Sequence, residues 1–193
     1  PYLAGTLAKE YVMSVQKAGI GACVKHFCCN NLEYNRWQQS SEVDERTLPE
    51  IYYKPFEIVC EAKPLCLMSS YNRINGVYAS EYKKGYDVLR NEYGFDGLIM
   101  SDWEAVRDRT VACKAGLDLE MPYDARHYEM LVADYKSGKI TEEEINECAE
   151  RVLDLAYRCH EMKKGKKATH TLQERIDFTQ KAEEAGIVLL KNN

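Results

Sequence analysis

Four places in the sequence put polar, reactive side chains at the end of a short apolar run. Residues 22–27 carry Lys25 and His26, and residues 65–70 include Met68 and lead into Tyr71 and Asn72. Residues 97–100 run into Ser101-Asp102-Trp103, and residues 116–121 contain Glu120. A carboxylate is costly to bury without partners. Asp102 therefore either caps the helix that follows or takes part in chemistry. Trp103 beside it offers a flat apolar face of the kind that suits a sugar ring. Read singly, the other groups have ordinary uses: Lys25-His26 as an ion-paired rim, Glu33 with Arg36 as a surface pair, Tyr71 as a satisfied core phenol, Glu120 as a loop start. Read together, they place cations, a carboxylate and aromatics at one end of one sheet. That set suits a neutral, polyhydroxylated ligand with charge developing in its transition state.

The elements that must hold these groups alternate. Leu7, Tyr11, Val15 and Ala18 repeat at helical spacing ahead of Gly19. The run 22–27 reads as a strand. Leu48, Ile51, Tyr52, Ile58, Val59 and Ala62 mark one helix face, with Pro55 predicting a kink or an early break. A second strand covers 65–70, and Asn75-Gly76 is a turn. Tyr82, Tyr86, Leu89 and Tyr93 predict the next helix, then a third strand at 97–100, a short helix at about 105–114 and a fourth strand candidate at 116–121. A helix at 128–137 follows. The next is the best signalled: Thr141 and Glu144 have capping-box spacing, ahead of the stripe Ile145, Cys148, Val152, Leu155, Cys159 and Met162. A second box, Thr171 with Glu174, opens a last helix, and Ile187-Val188-Leu189-Leu190 reads as a buried strand.

Strand and helix in alternation imply a parallel sheet, and ligands sit at the carboxyl ends of such strands. Polar groups at four strand ends fit a (β/α)8 barrel better than a doubly wound sheet, and no Gly-x-Gly-x-x-Gly turn supports a nucleotide site. About four βα units cannot close a barrel of eight. The fold class is thus α/β, a partial TIM-like barrel. Residues 1–162 are expected to be its C-terminal half, and residues 163–193 a linker helix and the start of a second α/β domain.

Composition narrows the partners. The 193 residues are 45% hydrophobic and 30% charged, with net charge −5. That is globular usage, without the basic surplus that nucleic acid requires. The one dense basic run, Lys163, Lys164, Lys166 and Lys167, reads as a solvated helix end. His127, His160 and His170 read as surface groups. Eight cysteines occur without a Cys-x-x-Cys pair, so zinc-ligand spacing is missing. Free thiols in apolar patterns suggest a reducing, cytoplasmic setting. No apolar run is long enough for a membrane span.

The ordered motifs resemble glycoside hydrolase family three. Lys25-His26-Phe27 with Asn31, Glu33 and Arg36 is similar to one block of that family, and Glu45-Arg46-Thr47-Leu48-Pro49-Glu50 to the next. Met68-Ser69-Ser70-Tyr71-Asn72, Gly94-Phe95-Asp96-Gly97 with Ser101-Asp102-Trp103, and Gly116-Leu117-Asp118-Leu119-Glu120-Met121-Pro122 resemble three more. The resemblance implies retaining exo-β-glycoside hydrolysis of the β-glucosidase kind, with no cofactor and no metal. It makes Asp102 the nucleophile, puts Lys25, His26 and Arg36 on sugar hydroxyls, sets Tyr71 beside the nucleophile, Met68 on the pocket wall and Trp103 against the sugar. Retaining hydrolysis needs two carboxyl groups roughly 5–5.5 Å apart. Lys25 and Arg36 nearby would favour the ionised nucleophile. In this branch the acid/base glutamate comes from a second domain, so none is assigned here. The loop 28–36 holds no histidine, which disfavours the N-acetylglucosaminidase branch. Three alternatives stand beside this one: a catalytically incomplete segment with at most sugar binding, a β-xylosidase, and a Schiff-base lyase using Lys25. The expected partners are a β-linked glycoside or oligosaccharide, and the remaining strands and C-terminal domain of a longer parent.

Overall fold

The computed structural model describes residues 1–165 and 170–191. Helix α1 (Tyr2–Lys17) leads into strand β1 (Cys23–Phe27) and, after a loop, the short β2 (Ser40–Ser41). A π-helical turn, Leu48–Tyr53, runs directly into α2 (Lys54–Cys60), and β3 (Cys66–Ser69) returns to the sheet. The hairpin β4 (Arg73–Ile74) and β5 (Val77–Tyr78), helix α3 (Lys83–Asp87) with its π-helical continuation Val88–Glu92, and strand β6 (Leu98–Met100) follow. Helices α4 (Arg109–Ala115), α5 (Ala125–Lys136), α6 (Glu142–Lys163) and α7 (Leu172–Gly186) complete the chain.

The main sheet has the order β1-β3-β6 and is parallel throughout, with Cys23 opposite Cys66 and Leu67 opposite Ile99. Parallel neighbours require crossovers, and α2 and α3 supply them. The fourth strand expected at 116–121 is reduced to one parallel bridge, Leu119 with Met100. Its backbone is spent in a tight exchange in which Asp118 N donates to Ile99 O at 2.9 Å and Ser101 N to Leu119 O at 2.9 Å. A second small sheet joins β2, β4 and β5.

The core lies between the sheet and its helices. Leu67, Ile99, Leu89, Ile74 and Leu117 are fully buried. Phe27 meets Phe56 edge-on with centroids 4.9 Å apart and Tyr53 at 5.4 Å, the offset geometries aromatic rings prefer. Behind β6 sits an ionic cluster. Asp118, with no exposed side-chain surface, accepts from Arg90 Nη2 at 2.9 Å, Arg151 Nη1 at 2.9 Å and Ile99 N at 2.7 Å. Burial is the largest influence on this carboxyl and holds it above its ordinary value, against the pull of that amide and both guanidinia. A charged residue inside the apolar run Leu117-Asp118-Leu119 was its only signal in sequence.

Several expectations are corrected. Helix α1 forms, but Leu7 and Tyr11 are exposed, at 62% and 72%. The face turned to α2 is that of Gly5, Ala8, Val12 and Val15. A Cβ on Gly5 would stand 3.0 Å from both Ile58 Cβ and Pro55 Cα, so close helix approach selects the small residues. At Pro55 the helical run changes character, the π-helical turn ending at Tyr53 and α2 beginning at Lys54. Pro55 occupies the first turn of α2, where a missing N–H costs nothing. Residues 187–190 are not a buried strand: Ile187, Val188, Leu189 and Leu190 are 71–93% exposed. A strand needs a paired edge, and none of the described residues supplies one. The short helix begins later than expected, at Arg109, where Asp108 caps it through Val111 N at 2.9 Å. Lys163 and Lys164 are exposed; Lys166 and Lys167 lie outside the described residues. Both capping boxes form, at Thr141 with Glu144 and at Thr171 with Glu174.

Candidate active site

The carboxyl ends of β1, β3 and β6 are laced to one another, which brings distant residues together. Ser70 N donates to Phe27 O at 2.9 Å, Ser70 Oγ to Cys28 O at 2.7 Å, and Asn72 Nδ2 to the same carbonyl at 3.2 Å. On the β6 side, Met121 N donates to Ser101 Oγ at 2.8 Å and Glu104 N to Met121 O at 2.8 Å. These bonds fix the loop that carries Asp102.

Asp102 is 7% exposed. Its Oδ1 accepts from the Tyr71 hydroxyl at 2.9 Å and from the Trp103 amide at 2.7 Å. Its Oδ2 stands 3.0 Å from His26 Nε2. The carboxylate does not cap the following helix, a role that falls to Asp108. Burial pushes the Tyr71 phenol up to about 12, and the hydrogen bond to Asp102 adds to this. It therefore stays protonated at neutral pH and remains a donor. Burial also lowers the His26 imidazole, Asp102 opposes that, and Lys25 adds to it. A neutral imidazole thus faces the carboxylate.

The remaining expected residues divide. Arg36 lies over the Tyr71 ring, 4.1 Å from its centroid, and pairs with Glu33 at 2.7 Å. Its link to Asp102 is through charge alone. Lys25 is exposed and, among the described residues, makes no ion pair; its charge is felt at His26. Trp103 is tied to the carboxylate by its backbone, and the residue is 58% exposed. Met68 is half-buried, opposite Met100 in the sheet. His127 is not a surface group: it is hydrogen-bonded to Glu120 with 19% of its side chain exposed.

Sequence reasoning missed the aromatic and cationic wall beside this cluster. Trp37 packs on Tyr71 with centroids 4.5 Å apart, and Arg107 lies 5.1 Å from the Trp37 ring centre. Trp37, Arg107, Glu104, Glu120, Tyr123 and His127 help line a cavity of about 830 Å³. A second cavity of about 400 Å³ opens beside His26. Asp102 is on neither wall; of its two partners, His26 lines the smaller cavity and Tyr71 packs on Trp37 of the larger. The adjacency of Arg36 and Trp37 was the available signal. The arrangement can hold a carboxylate oriented at the edge of a polar, aromatic cleft.

Comparison with known proteins covers the chain end to end. The family described as "Glycosyl hydrolase family 3 N terminal domain" matches residues 1–155. Thermostable beta-glucosidase B of Acetivibrio thermocellus is 41% identical over 195 residues, covering 100% of this chain and 26% of that protein. An exo-alpha-(1->6)-L-arabinopyranosidase of Bifidobacterium longum is 38% identical, with the same two coverages. Among solved structures, the beta-glucosidase of Kluyveromyces marxianus in complex with glucose superposes with a TM-score of 0.91 at 35% identity, covering 100% of this chain and 25% of that one. The chain spans about a quarter of the length of the curated relatives it matches.

Proposed function

The chain belongs to glycosyl hydrolase family 3, and from that premise we propose that its parent protein removes sugars from β-glycosides, β-glucosides first, through a covalent glycosyl–Asp102 intermediate. One observation carries this reading. A carboxylate at the carboxyl end of the parallel sheet is held on one oxygen by Tyr71 and the Trp103 amide, and its other oxygen faces His26. Ionised and oriented, such a group can attack an anomeric carbon as the leaving oxygen is protonated from the opposite side. Lys25, His26 and Arg36 then serve sugar hydroxyls, whose hydrogen bonds strengthen as oxocarbenium character grows. Trp103 offers its open face to the ring, and Met68 a soft apolar edge. Residues 1–162 form half of the catalytic barrel, and residues 163–193 lead to a second domain that supplies the acid/base carboxylate. Eight free thiols favour a reducing, cytoplasmic location. No helix among the described residues is long and apolar enough to cross a membrane.

The decisive experiment treats the full parent with a slow fluoro-glycoside inactivator and maps the labelled peptide. Label on Asp102, within the tryptic segment 91–107, is expected. Label on any other residue overturns the assignment. The 193-residue chain alone should show no turnover of an aryl β-glucoside, because half the carboxyl pair is missing; robust turnover would overturn the shared-site reading. The arabinopyranosidase among the relatives motivates one further substrate. An α-L-arabinopyranoside has the anomeric arrangement of a β-D-galactoside without its hydroxymethyl group, so the same nucleophile serves it. Rates on aryl β-glucoside, β-xyloside and α-L-arabinopyranoside rank the three.

A further inference from the structure

On the helical side of the sheet, away from Asp102, two thiols are in contact. Cys113 on α4 and Cys148 on α6 bring their Sγ atoms to 3.2 Å, and the residues are 5% and 6% exposed. Cys148 Sγ also reaches Leu117 O, and Cys113 Sγ reaches Glu144 O, each at 3.6 Å. Neither thiol is sealed in, for both form part of the wall of a cavity of about 240 Å³ that also holds Lys83, Lys114 and Arg151. A water-sized molecule, with its share of about 30 Å³, has room beside them. We propose that Cys113 and Cys148 are a redox-modifiable dithiol, which a small hydroperoxide admitted by this cavity converts into a disulfide joining α4 to α6.

The chemistry balances. The Cys113 thiolate attacks one peroxide oxygen, the O–O bond breaks, and a sulfenic acid forms as the other oxygen leaves as hydroxide. Cys148 sulfur then attacks the Cys113 sulfur, so that the S–S bond forms and the S–O bond breaks. The protons released by the two thiols end on the two oxygens. Two thiols are oxidised by two electrons, and the hydroperoxide (hydrogen peroxide as probe) is reduced to two waters. Cys113 is the first nucleophile. The hydrogen bond from Cys148 holds its thiol below the ordinary value, burial opposes this, and the charge of Arg109 assists. The two sulfurs need to close only to ~2.05 Å. Two further thiol pairs are close: Cys28 and Cys29, with Sγ atoms 3.5 Å apart, are adjacent residues in which burial pushes the Cys28 thiol well up, and Cys23 and Cys66, opposite one another on β1 and β3, share a thiol hydrogen bond.

The test uses the folded parent protein. It is treated with hydrogen peroxide, its free thiols are alkylated after unfolding, and the tryptic peptides are mapped by mass spectrometry. Segments 110–114 and 140–151 are expected as one cross-linked species that dithiothreitol separates. In Cys148→Ser, Cys113 is expected to pass on to sulfinic acid. Recovery of both wild-type segments alkylated, while other cysteines are oxidised, overturns the proposal whether or not the variant folds. A disulfide appearing first at Cys28-Cys29 overturns it equally.

Discussion

Replacing Tyr71 with Phe removes one hydroxyl and leaves the ring. The ring has its own duties, packed on Trp37 with centroids 4.5 Å apart and covered by Arg36 at 4.1 Å, and Phe preserves both. What is lost is the 2.9 Å hydrogen bond to Asp102 Oδ1. The donor is neutral and the acceptor charged, a class of bond that contributes about 1.5–3 kcal/mol. At 1.36 kcal/mol per decade, that is a ceiling of about 10- to 160-fold in rate. The full value is not reached: the carboxylate charge disperses as the ester bond forms, so the hydrogen bond itself weakens, and what the hydroxyl contributes to the transition state is the orientation of the attacking carboxylate. The Trp103 amide also remains on the same oxygen. Tyr71→Phe in the parent protein should therefore lower kcat/KM on an aryl β-glucoside by about tenfold. The reasoning is refuted if kcat/KM stays within about twofold of wild type. A loss as complete as that of Asp102→Asn would refute it too, since the hydroxyl would then be doing something other than orienting a carboxylate.

Three further outcomes test the scaffold. Asp118→Ala leaves Arg90 and Arg151 facing an empty site, and unpaired buried charge costs about 3–5 kcal/mol; with the two guanidinia 18% and 30% exposed, the lower end is expected in denaturant unfolding. Gly97→Ala would place a Cβ 2.5 Å from the Leu65 carbonyl oxygen, a backbone clash no rotamer relieves, and should cost about 1–3 kcal/mol, read as a lower thermal midpoint. Because the folded-state value of His26 lies below its ordinary 6.5, unfolding takes up protons there. The stability tied to neutral His26 is complete above pH 6.5 and drains as the pH falls through the lower folded value. His26→Gln should flatten the acid limb of the thermal midpoint in that window, and an unchanged limb would show that other groups set it.

Local signals explain what could be read without coordinates. The box Thr141–Glu144 and the stripe behind it demanded a helix, and α6 buries Cys148 while Leu153 and Tyr157 on its other face stay exposed. The strand ends with Lys25-His26, Tyr71 and Asp102 could be placed because apolar runs and motif order are both one-dimensional. Helix α1 shows where that stops. Two of its faces are apolar, and only the 3.0 Å approach of Ile58 and Pro55 to Gly5 chooses between them. Residues 187–190 show it again, since an apolar run is a strand only where a neighbour pairs with it.

From the order of residues alone came the alternation of strands and helices, the parallel sheet, and the list of groups at its carboxyl edge. Folding in three dimensions decided which of those groups touch. Tyr71 and His26 close on Asp102, Arg36 stops at the phenol, Trp37 enters the wall, and Asp118 turns away from the cleft to hold two arginines. The physical reason is range. Propensity, capping and periodicity act over a few residues, whereas hydrogen bonds and desolvation depend on distances between segments far apart in the chain, and these exist only once the sheet has assembled.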